Sequence, residues 1–188
     1  VFYYSAGVQD LDSIQPIPEG LRMIAGSAAT MPGMTQDTGI VRWHCQTWES
    51  DDATNPRFSA TIPYCEAPDR VRMDVFFPSC WDGVNLDSAD HKSHMAYPTA
   101  SGTCPATHPV PVVRVSYHYA FGVLPGGLSL HADWFNGWHP AVMDTILENC
   151  IQKGLDCHDG NLANGYRLSG TRTGSGVEPA IVNGGLGY

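Results

Sequence analysis

The sequence predicts a mainly β fold: an antiparallel sandwich or jelly-roll-like domain, disulfide-bonded, with one C-terminal helix. Three observations carry that expectation. Charged residues make up only 15% of the chain against 20 Gly and 14 Pro, and many turn formers with little charge mark a loop-rich β protein. Several short apolar stretches alternate with a period of two, as half-buried strands do. The six cysteines, Cys45, Cys65, Cys80, Cys104, Cys150 and Cys157, form no C-x-x-C pair and no zinc-finger spacing, and an even count of this kind fits three disulfides in an oxidising compartment. Fifteen pairings are possible. The sequential set 45–65, 80–104 and 150–157 is the one expected, and in the chain-entropy model a loop of about 20 residues contributes about 3 kcal/mol.

The elements follow in order. Val1–Tyr4 reads as a strand, Leu21–Ala25 as a short strand closed by Gly26, and Ile40–Cys45 as another, with a polar loop over Ser50–Pro56. Val71–Phe77 alternates most clearly. Val110–Phe121 is next, with Val113, Val115, Tyr117 and Tyr119 on one face. Leu128–Asp133 completes the strands. A helix is expected from His139, with Pro140 at its first position and Val142, Met143, Ile146, Leu147, Cys150 and Ile151 at helical spacing, stopped by Gly154. The 188 residues imply one domain, a β-rich unit over residues 1–160 followed by a Gly-rich extended tail over 161–188.

A net charge of −9, with Lys92 and Lys153 as the lysines, argues against nucleic-acid binding and against anionic membranes, because both rest on neutralising phosphate. No apolar run is long enough to span a bilayer. Secretion is the expected localisation, with any signal peptide already removed.

Two clusters carry the chemistry. Residues 82–94 hold Asp82, Asn85, Asp87, Asp90, His91 and His94, together with Lys92. Residues 131–139 hold His131, Asp133, Trp134, Asn136 and Trp138, and on a strand His131 and Asp133 point the same way. Imidazole with carboxylate suits one divalent transition-metal ion, held by His91, His94, His131 and Asp133. Asp82, Asn85, Asp87 and Asp90 are alternatively an oxygen-rich calcium loop, although without EF-hand register. A third reading makes Asp87, Asp90, His91, His94, His131 and Asp133 general acids and bases on a glycan. Lys92 would then neutralise an anionic group, and Trp81, Trp134, Trp138 and Asn136 would bind sugar. Against all three stands the ordinary use of Asp, Asn, Gly and Ser in structured loops. No G-x-S-x-G elbow surrounds Ser79 or Ser93, which disfavours a serine hydrolase.

The runs Phe77-Pro78-Ser79-Cys80-Trp81-Asp82-Gly83, Asn85-Leu86-Asp87-Ser88 and Asp90-His91-Lys92-Ser93-His94-Met95-Ala96-Tyr97-Pro98 together resemble an uncharacterised secreted family, a domain of unknown function. It occurs in filamentous fungi and actinomycete-type bacteria, and some fungal members are joined to WSC-type carbohydrate-binding modules. Gly102-Thr103-Cys104-Pro105, Leu21–Gly26 and His131–Trp138 are similar to the same family, so the resemblance covers roughly residues 1 to 157. It implies a secreted protein in a cell-wall or polysaccharide setting and names no reaction. Family members carry an N-terminal segment with a His-x-His stretch that residues 1–10 do not match, so the domain is expected to lack it. The leading expectation is a polysaccharide hydrolase or lyase. The rivals are a non-catalytic carbohydrate-binding module and a self-associating extracellular structural protein.

Overall fold

The computed structural model describes residues 2–30, 34–46, 58–121, 130–155, 157, 166–173 and 176–183. The expected strands form. β1 (Phe2–Ser5), β2 (Arg22–Ser27), β3 (Val41–Gln46) and β4 (Arg70–Phe76) are followed by the short β5 (Cys80–Trp81), β6 (Met95–Ala96) and β7 (Val110–Pro111). β8 (Arg114–Phe121) and β9 (Leu130–Phe135) complete the body. The Val110–Phe121 run therefore divides in two, between Pro111 and Arg114, because Val112 turns away to bridge Gln15. Leu128, Ser129 and the polar loop at Ser50–Pro56 lie outside the described residues.

β1, β8, β4 and β3 make an antiparallel sheet in that order. Alternation gives it two faces. Val41 and Trp43, Val71, Met73 and Val75, and Val115 and Tyr117 are buried on one face. The opposite face carries Tyr3, Arg114, Ser116, His118, Arg72, Asp74, Phe76, Arg42 and His44. β2 and β9 form a separate ribbon whose inner residues, Met23, Ala25, Ala132 and Trp134, join the same core cluster as the buried sheet face. The result is sandwich-like. Burying a side chain such as Phe77, Met23 or Val115 fully contributes about 1.5–3 kcal/mol each.

α1 (Pro140–Ile146) continues into a π turn over Leu147–Ile151. The wider turn keeps Cys150 and Ile151 buried, and Gly154 ends it at φ 62°, where a side chain would be strained. The three disulfides are Cys45–Cys65, Cys80–Cys104 and Cys150–Cys157, as the sequential reading expects. The Gly-rich tail pairs with itself: β10 (Tyr166–Thr173) and β11 (Gly176–Asn183) form an antiparallel hairpin. No helix among the described residues is long and apolar enough to cross a membrane.

Candidate functional site

The loop after β5 docks along the edge of β2 that β9 leaves open. Arg22 N–H donates to Leu86 O at 2.9 Å and Ile24 N–H to His91 O at 3.1 Å. Its own side chains lock its shape. Asp90 Oδ1 accepts from the backbone N–H of Lys92 and Ser93 and from the hydroxyls of Ser88 and Ser93, and these donors hold its carboxyl well below the usual range. Asp82 caps the preceding turn through the N–H groups of Val84 and Asn85 and the Asn85 amide. Those bonds outweigh desolvation and lower its carboxyl too. His94 is 2% exposed. Its Nε2 donates to Arg22 O at 2.6 Å, while Nδ1 meets Ser88 Oγ at 2.8 Å.

This frame leaves His91 outside it. His91 sits at φ 55°, a backbone conformation that non-glycine residues rarely adopt and that clusters at functional positions. Its side chain is 46% exposed, and Nδ1 lies 2.6 Å from Asp87 Oδ1. That hydrogen bond, with the Ser88 N–H and the nearby Arg22 charge, pulls the Asp87 carboxyl below its ordinary value. An Asp-bound Nδ1–H fixes the tautomer and leaves Nε2 as the basic nitrogen.

The surroundings come from the outer face of the ribbon. Arg22 reaches Asp87 Oδ2 at 3.6 Å and lies over the ring of Phe135, 4.9 Å from its centroid. Phe135 is 61% exposed. Lys92 Nζ donates to Gly26 O at 2.6 Å and, with Ile24, Gly26, Asp37 and Tyr97, lines a cavity of about 290 Å³, at the small end for ligand sites. Across the ribbon Ile24 and Gly26 are the register partners of Asp133 and His131. Those two side chains share a face as expected, with Nε2 to Oδ2 at 3.4 Å. The two His–Asp pairs thus flank β2 on either side, their backbones about 10 Å apart at ordinary strand spacing.

The structure does not bring His91, His94, His131 and Asp133 to one point, because His94 is turned inward and both its nitrogens are engaged. Among the described residues no three His, Cys, Asp or Glu side chains are grouped to hold a metal ion. The aromatic residues also fall differently from the sequence expectation. Trp134 faces the core against Tyr4 and Tyr117. Trp138 donates Nε1–H to Tyr4 Oη, and Trp81 donates to Asn85 O. Asn136 is buried, with its amide on Ile17 O and Pro18 O. The ring offered to solvent on this face is Phe135, under the Arg22 guanidinium, which strand alternation places outward once Trp134 is inward.

A second polar constellation lies on the outer face of the four-stranded sheet. Asp74 is 2% exposed. Its carboxylate accepts from His118 Nδ1 at 2.6 Å, Arg42 Nε at 3.0 Å and Arg72 Nε at 3.2 Å. His44 Nε2 is 3.3 Å from Asp74 Oδ2 but off the line of a hydrogen bond, and among the described residues neither nitrogen of this buried ring makes one. Because the Nδ1 proton of His118 goes to Asp74, Arg72 Nη2, 2.9 Å from the same nitrogen, is a close neighbour rather than its donor. The signal in the sequence is the inward-outward alternation of Val71–Phe76, which puts Asp74 opposite Arg42 and His118. Pairing partners, and so this cluster, are not legible from one strand alone.

No curated protein and no solved structure matches this chain. A family model described as a domain of unknown function (DUF1996) matches residues 1–126, a stretch that takes in the His91 loop and the Asp74 cluster.

Proposed function

The chain belongs to the DUF1996 family, and from that premise we propose that it is a secreted enzyme that cleaves extracellular polysaccharide at the outer face of the β2–β9 ribbon. The observation that carries this reading is the exposed His91–Asp87 pair, 2.6 Å apart, held by a self-locked loop beside Arg22, which itself lies over the exposed ring of Phe135. His91 Nε2 is the general base. Three disulfides support secretion.

Arg22 and Lys92 favour a lyase over a hydrolase. β-Elimination of a uronate removes the proton next to the carboxylate, and a cation there stabilises the charge that develops. His91 Nε2 takes that proton, the carbon–carbon double bond forms, and the glycosidic oxygen leaves, taking a proton from His131, which Asp133 orients. Phe135 offers the sugar an apolar surface. A non-catalytic carbohydrate-binding module is the second reading, favoured by Phe135 and Arg22 as a ready-made stacking platform.

Incubation with a panel of neutral and uronate polysaccharides, read by ultraviolet absorbance of unsaturated ends and by reducing ends, tests this. His91→Ala is expected to lower kcat/KM by about 10²–10⁴-fold, the usual size of a general-base contribution, with unchanged melting temperature. Phe135→Ala is expected to raise KM. New reducing ends without absorbance would make the enzyme a hydrolase. Binding with no cleavage on any substrate would leave the binding-module reading.

A further inference from the structure

We propose that the outer face of the four-stranded sheet is a second binding site, separate from the His91 pair, that takes the carboxylates of an acidic polysaccharide on Arg42 and Arg114. The chain is acidic, at −9, yet this face carries Arg42, Arg72 and Arg114, the first two on the carboxylate of Asp74. Arg72 is occupied by Asp74 and by Gln46 Oε1 at 3.0 Å. Arg42 and Arg114 hydrogen-bond through Nε, to Asp74 and to Ser5 Oγ, and Arg42 also stacks on the Phe58 ring, 3.6 Å from its centroid, so among the described residues their terminal nitrogens carry no hydrogen bond. The two guanidinium groups lie 4.8 and 5.6 Å from the centroid of the one Phe76 ring.

Two like charges held together with free donor ends favour an anion. Burial, with the charge of Arg42, already destabilises the protonated form of Arg114. A planar guanidinium fork matches a carboxylate in bidentate fashion. His44 is an independent sign. It is 4% exposed, its Nε2 lies 3.3 Å from Asp74 Oδ2, its ring meets Phe58 edge-on, and among the described residues neither nitrogen makes a hydrogen bond, a state that costs about 1–3 kcal/mol and that a polar ligand group relieves. Tyr3, 43% exposed, stands on the edge strand β1 and presents a ring for the apolar face of a sugar to pack on, while the Phe58 ring is already packed against Arg42 and His44. A glycan fits this better than a nucleic acid, whose dense phosphates the remaining acidic surface repels.

The test is isothermal titration of the full chain with a galacturonic acid oligomer, its methyl ester, a sulfated glycan and a single-stranded oligonucleotide. The acid oligomer is expected to bind and the ester at least about tenfold more weakly, one tenfold step being about 1.4 kcal/mol. Arg114→Gln should weaken binding by a similar factor and His91→Ala should not change it, which separates this site from the proposed catalytic one. Tyr3→Ala, at an exposed ring that packs edge-on against His118 but makes none of the hydrogen bonds to Asp74, should weaken binding severalfold even if Arg42→Gln fails to fold. Equal binding of the ester, a preference for the sulfated glycan or the oligonucleotide, absence of binding, or loss in His91→Ala with retention in Arg114→Gln would each overturn the proposal.

Discussion

Replacing Asp74 with Asn is expected to destabilise the fold by about 3–5 kcal/mol, the range for removing one partner of a buried charge cluster. Chemical denaturation, comparing midpoints at constant slope, reads it directly. Asp74 faces Arg42, Arg72, His44 and His118 in a nearly solvent-free position. Without its charge the two arginines keep their desolvation cost and lose their counter-ion. Burial alone would push the Asp74 carboxyl up. The hydrogen bond from His118, the approach of His44 and the hydrogen bond from Arg42 outweigh it and hold the carboxyl far below the ordinary range. In the unfolded chain the same group titrates near 4. As the pH falls, the unfolded state therefore takes up the proton first. The stabilisation is complete above about pH 5 and drains away below about pH 4. The Asn variant should show a shallower acid limb in melting temperature against pH, and an unchanged limb would sink the argument.

The second large effect is expected at the Cys80–Cys104 bridge. Replacing both cysteines by Ser should cost about 2–5 kcal/mol. The bond closes 24 residues, and that interval contains the entire docked loop from Asp82 to His94. Cys80 is fully buried and pairs with Ala96 and Pro111 at the centre of the small three-stranded sheet. Losing the bridge should loosen the far end of the loop most. Hydrogen exchange is expected to rise at residues 97–104 while the N–H groups of Arg22 and Ile24, which the loop shields through Leu86 and His91, stay protected longer. Uniform loss of protection across the sheet would mean that the bridge stabilises the whole domain, not the loop.

Strands and helix were legible because their signals are local. The alternation in Val71–Phe77 and in Val113–Tyr119, and the 3.6-residue spacing after Pro140, each depend only on residues near in sequence. So was the His131–Asp133 pair, since strand geometry alone puts residues two apart on one face. The roles within the 82–94 loop were not legible. Its acids serve mainly the loop's own backbone, and nothing in composition separates Asp90, which caps a turn, from Asp87, which orients His91. His94 turned inward because a backbone carbonyl from 72 positions away, that of Arg22, meets its Nε2. The tryptophans were misplaced for a related reason. An aromatic residue reads alike whether it stacks on ligand or on core, and only the pairing of β9 with β2 shows that Trp134 lies inward and Phe135 outward. The Asp74 cluster needed three strands in register before any of it existed.

The bridges are neither nested nor interleaved: Cys45 finds Cys65, Cys80 finds Cys104, and Cys150 finds Cys157. For a chain delivered N-terminus first into an oxidising compartment, this order has a kinetic meaning. The first, third and fifth thiols each meet their native partner as the very next one to emerge. Thiolate exchange, the usual route for correcting wrong pairs, then has little to correct, because synthesis itself has sorted the fifteen possible pairings. Chains halted at a length that delivers Cys65 but not Cys80 to that compartment should already carry the Cys45–Cys65 bond.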